Sequence, residues 1–145
     1  MSAEYLTDAL ATFTVGFFPM AEIYVAVPTG MALGLDPVSA VAWAALGNYA
    51  PVLLIHWLYD LLLAVPRVGG WLGGLASEKV RARVEAGGAW FYLVMTPVIG
   101  TWALAVTVKV LRVPGRRFLL PSLVSVTASG ALVAILIAVG ISFRG

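Results

Sequence analysis

The stretch "FFPMAEIYVAVPTG", residues 17–30, holds one carboxylate, Glu22, between Pro19 and Pro28, and everything else in it is apolar, small or hydroxylated. An ionised acid is costly to remove from water, so an acid placed here suits the binding and release of a proton. Tyr24 follows two residues on. Other residue types that do chemistry are sparse. His56, the only histidine, is spaced four residues from Asp60, which puts both on one helical face. That pair suits a proton relay, or an interfacial anchor beside Trp57 and Tyr59. Asn48 sets an amide beside Pro51, whose ring frees a helical carbonyl. The segment "TPVIGTW", residues 96–102, offers Thr96, Gly100 and Thr101, whose hydroxyls and freed N–H groups suit a neutral or anionic group. The alternative for this segment is a bend with hydroxyls bonded to their own backbone. There is no cysteine, and nothing matches a serine triad, a phosphate loop or a metal-ligand set. The expectation is a protein that is not an enzyme and that needs neither metal nor cofactor.

The elements that must position these residues are apolar. The chain is 61% hydrophobic and 11% charged, with a mean hydropathy of +0.99, against about 25% charged in a soluble domain. That composition predicts a single integral membrane domain over residues 1–145, of about four membrane elements. The first ten residues carry Glu4 and Asp8 and no Lys or Arg, unlike the basic start of a secretory signal peptide. The pI near 9.2 reflects local basic loops, and no nucleic-acid partner is expected. Residues 5–18 stop at Pro19 and residues 20–35 at "GLDP", where Asp36 caps the next helix and Pro37 opens it. Residues 37–65 are long enough to cross a bilayer core of roughly 30 Å. The polar stretch 66–88 reads as glycine-rich loop with a short amphipathic surface helix starting at Ser77. Residues 89–96 lead to Pro97, 98–111 follow, and 118–143 form a second long span.

That order occurs twice. A shift of 78 residues lays Pro19 on Pro97, Tyr24 on Trp102, Thr29 on Thr107 and Leu33 on Leu111. The expected fold is therefore all-α, with a first repeat at 1–65, a linker at 66–88 and a second repeat at 89–145. Each short segment makes a helix of roughly 21 Å, too short to cross, so each pair reads as a re-entrant hairpin followed by one transmembrane helix. Pro19, Pro28, Pro51 and Pro97 are the expected hinges. In this arrangement Arg67, Lys79, Arg81, Arg83, Lys109, Arg112, Arg116 and Arg117 collect on one side and only Arg144 on the other. The positive-inside rule makes the first side, with the linker, cytoplasmic in a prokaryotic-type cell membrane. One crossing per half makes the repeats inverted, as in many secondary transporters. Four such elements are too few to shield broken backbone from lipid. A homodimer or larger is expected, packed through Ala44, Gly47 and residues 129–131.

Residues 18–54, "FPMAEIYVAVPTGMALGLDPVSAVAWAALGNYAPVLL", resemble the small multi-drug export protein family, distant relatives of the DedA-like membrane proteins. The resemblance falls on Glu22, Pro28, Gly34, Gly47, Asn48 and Pro51. Two departures are visible: Tyr24 stands where the family carries Arg, and the family's second Pro-Gly-Thr-Gly-Ala-Trp pattern is reduced to "PVIGTWA", residues 97–103. The resemblance implies transport. The function expected is proton-coupled export of a small or amphipathic solute through a mid-membrane site at the hairpin tips. Its residues are Glu22, Tyr24, Asn48, Gly100 and Thr101, with protons and membrane lipids as partners. A lipid or lipid-carrier translocator, or a membrane assembly subunit without transport, are the alternatives.

Overall fold

The computed structural model describes residues 2–75 and 78–142. Seven helices follow in order: α1 (Ala3–Phe17), α2 (Glu22–Leu33), α3 (Pro37–Leu63), α4 (Pro66–Leu75), α5 (Glu78–Ile99), α6 (Thr101–Val110) and α7 (Gly115–Ser142). No strand occurs among the described residues. Two segments, Pro37–Leu62 and Gly115–Gly140, are long and apolar enough to cross a membrane by length and composition.

Local chemistry sets these boundaries. The Ser2 hydroxyl accepts from the Tyr5 N–H at the start of α1. Asp36 Oδ1 accepts from the N–H groups of Val38 and Ser39, both at 3.0 Å, and Pro37 opens α3 as expected. At the end of α2, Gly34 takes φ +112°, and the Leu35 N–H reaches back to the Gly30 carbonyl at 3.0 Å, a left-handed helix stop.

The 78-residue register reappears in the backbone. Glu22 (φ +49°) and Gly100 (φ +92°) form one pair of left-handed residues, and Gly34 (φ +112°) and Arg112 (φ +54°) form another. Both pairs are 78 apart. So are the helix-stop hydrogen bonds, since Val113 N–H donates to the Val108 carbonyl at 2.9 Å as Leu35 does to Gly30. The starts of α3 and α7, Pro37 and Gly115, obey the same shift. The order short helix, break, short helix, left-handed stop, long helix thus occurs twice.

Two expectations about the second half need correction. Pro97 is not at a break: it lies inside α5, and the chain turns at Gly100. The reason is visible four residues back. Proline leaves the Leu93 carbonyl without its helical donor, and the Ser125 hydroxyl donates to that carbonyl at 2.5 Å. The stretch 66–88 is also not loop around one short helix. Residues 66–75 form α4, and α5 runs from Glu78 straight through Gly87 and Gly88 into the second half. The expected cap, Ser77, lies outside the described residues. Pro28 and Pro51 are likewise inside continuous helices, α2 and α3.

The chain divides into two compact units, Met1–Tyr49 with Val126–Gly145, and Ala50–Ser125. The first has a core of Ile23, Ala26, Val27, Ala44, Ala45, Val126 and Ala134. In it α1 and α3 meet at glycines: a Cβ on Gly47 would run into the Phe13 carbonyl oxygen, and one on Gly16 would sit 2.7 Å from the Ala44 oxygen. Gly130 packs on Ile23, and Ala44 is fully buried. The small residues expected to face a second copy are therefore spent inside the chain. The second unit packs Tyr92 on Phe118, ring centroids 5.5 Å apart, and Trp71 on Trp102 at 5.0 Å.

Candidate functional site

Residues 18–21 separate α1 from α2 by a tight turn in which the N–H groups of Ala21 and Glu22 both donate to the Phe18 carbonyl, at 3.2 Å. Pro19 follows directly on the carbonyl that accepts them. Glu22 is the first residue of α2, half-buried, and left-handed at φ +49°. A side chain in that conformation costs on the order of 1–2 kcal/mol, and glycine avoids the cost. The matching position in the second half is glycine, Gly100. The acid therefore stands where backbone geometry favours having no side chain.

Its surroundings come from three elements. Asn48, only 1% exposed, donates from Nδ2 to the Gly16 carbonyl at 3.3 Å. Gly16 lies in the last turn of α1, where carbonyls lack helical donors, so Asn48 ties the broken end of α1 to α3. Its part is to hold the tip. Tyr24 is exposed on α2, hydrogen-bonds with Ser129 of α7, and feels the charge of Glu22. Sequence reasoning gave Gly16 and Ser129 no role at the site. A glycine in the turn before a helix-ending proline was the available signal for the first; nothing local marks the second.

In the other unit, Gly100 opens α6 without a side-chain cap. Thr101 is 2% exposed, and its hydroxyl has no hydrogen-bond partner. Thr96 is satisfied, donating to the Tyr92 carbonyl one turn earlier. His56 and Asp60 lie one turn apart on α3, and no hydrogen bond or ion pair joins them among the described residues. The His56 ring lies against Gly115, and Lys109 Nζ donates to the His56 backbone carbonyl at 2.6 Å. Lys109, expected at the surface, is instead drawn onto α3. Among the described residues, no group of three or more acids and histidines is arranged to hold a metal ion.

One groove, of about 390 Å³, runs past Val38, Val41, Ala42, Ala131, Ala134 and Ile135. It has the lining for an acyl chain and no group that does chemistry. The polar chemistry is at the two breaks. No family model, no curated protein and no solved structure matches the chain.

Proposed function

We propose that the chain is an integral membrane protein, a small secondary transporter in which Glu22 binds and releases the coupling proton. The single observation that carries this reading is the pairing of Glu22 with Gly100. The same left-handed opening of a short helix occurs twice, and only one copy spends conformational energy to hold an acid. Strain of this kind marks sites where a side chain is needed for its chemistry.

The membrane setting is supported by where the apolar surface lies. Only 22% of the apolar window of α7 is buried, whereas the core helix of a soluble domain is mostly covered. Leu132, Ile135 and Leu136 of α7 are each more than half exposed, and Met20 at the first break is 98% exposed. Backbone broken at membrane depth is tolerated only against protein or a watery cavity, and an acid there is by default a working group. In this reading α1–α2 and α5–α6 are re-entrant hairpins, α3 and α7 cross the membrane, the repeats are inverted, and the basic α6–α7 loop is cytoplasmic. The resemblance to small multi-drug export proteins points the same way.

The test is transport by the purified protein in liposomes. An imposed pH gradient is expected to drive accumulation of at least one amphipathic dye from a cationic, an anionic and a neutral set. Equal dye levels with the gradient intact and collapsed, for all three, contradict the proposal.

A further inference from the structure

Threonines in this chain share a habit. The hydroxyls of Thr7, Thr12, Thr14, Thr29, Thr96 and Thr107 each donate to the carbonyl four residues earlier. Thr101 breaks it: its hydroxyl is buried and meets no protein partner. A buried hydroxyl without a partner costs roughly 1–3 kcal/mol. Packing does not demand it, because the residue 78 positions earlier is Ile23, an apolar core side chain that is 2% exposed.

Thr101 is the first residue of the ten-residue helix α6. Helical Cα–Cβ bonds lean toward the N-terminus, so this hydroxyl is directed to the open end of the helix. That end has backbone donors in need of acceptors and about half a positive charge, and Gly100 supplies no cap. The unit around it, Ala50–Ser125, holds eight Lys and Arg against three Asp and Glu, and no acid occurs between residues 86 and 145. The local field therefore favours an anion.

How much charge the site takes follows from what else is near. Lys109 is the only Lys or Arg on α6, stands roughly 12 Å further along the helix axis, and is held by the His56 carbonyl. A dianion lacking a guanidinium or ammonium partner is poorly matched to half a helix charge and one hydroxyl. A single negative charge is well matched. We propose that the N-terminus of α6, through the Thr101 hydroxyl, binds the carboxylate of a monoanionic organic solute. The assignment of that solute as cargo rests on the transport reading. The binding itself does not, and is measured without any gradient.

Purified full-length protein in phosphatidylcholine nanodiscs is titrated calorimetrically with benzoate, benzamide, benzylammonium, decanoate and phenyl phosphate, with empty nanodiscs subtracted. Saturable binding is expected for benzoate or decanoate, at least tenfold tighter than for benzamide, benzylammonium or phenyl phosphate. Binding by both carboxylates, or by benzoate alone, assigns a water-soluble carboxylate; binding by decanoate alone assigns a lipid-like one. Thr101→Val is expected to weaken it at least tenfold, and Thr101→Ser to stay within threefold of wild type. Thr101→Val breaks no protein hydrogen bond, so it is expected to melt no lower than wild type, which separates lost binding from lost folding. The proposal is overturned if neither carboxylate binds saturably, if the neutral, cationic or dianionic probe binds as tightly, or if Thr101→Val binds as wild type.

Discussion

Glu22 holds a conformation for which glycine is better suited, and that allows its two roles to be separated. If the acid is there for its proton, Glu22→Gly removes backbone strain and function together. The variant is expected to melt no lower than wild type in detergent and to lose gradient-driven flux. A melting temperature several degrees lower, with flux retained, marks the acid as architecture. Asp36 is a simpler case. Its carboxyl is held below its ordinary value of 3.8 by hydrogen bonds from the Ser39 side chain and then from the Ser39 N–H. A folded-state value below the unfolded one gives stability that is present above the unfolded value and is lost as pH falls through the folded one. Wild type is therefore expected to lose more stability than Asp36→Asn on acidification from about pH 5 downwards, measured as the difference between their melting temperatures. The importance of Glu22 was legible from the sequence because Pro19 precedes it in an apolar run. Its left-handed backbone was not, because that conformation is usually announced by glycine or asparagine, and here by neither.

At the scale of elements, the break in the second half is set by Gly100, and Pro97 is accommodated inside α5 by Ser125. Gly100→Ala forces a Cβ into φ +92° and is expected to cost on the order of 1–2 kcal/mol. Pro97→Ala restores a donor to the Leu93 carbonyl and is expected to be neutral or stabilising. Ser125→Ala leaves that carbonyl unpaired and is expected to cost about 1–2 kcal/mol, but little in a Pro97→Ala background. Chemical denaturation of the two single variants and the double variant measures this coupling, and additive effects refute the account of how α5 holds its proline. The sequence aligned Pro19 with Pro97 correctly and then placed both breaks at proline. What separates them is a hydroxyl 28 residues downstream of Pro97, and no local pattern reports such a partner. The cap at Asp36 and the stop at Gly34 were readable because the groups that make them lie within a few residues of one another. The glycines of 66–88 misled for the converse reason. Glycine weakens a helix by roughly 1 kcal/mol without forbidding it, and α4 and α5 run through five of the six in that stretch.

For the whole molecule, the account is that a duplicated pattern of broken and long helices holds one proton-binding acid in an apolar setting. The repeat of 78 residues was visible in sequence as aligned residues, and the backbone supplies what sequence lacked: paired left-handed positions and paired helix stops. The acid is the element that is not duplicated, so the central claim concerns its titration. Glu22→Gln keeps size and most hydrogen-bonding capacity but cannot exchange a proton, and Glu22→Leu loses both. The decisive measurement is flux into proteoliposomes under an imposed pH gradient, using whichever dye the wild type accumulates, for wild type and both variants at matched insertion. The account predicts that Glu22→Gln inserts and folds as wild type yet loses nearly all gradient-driven flux, as Glu22→Leu does. Wild-type, gradient-dependent flux in Glu22→Gln contradicts it.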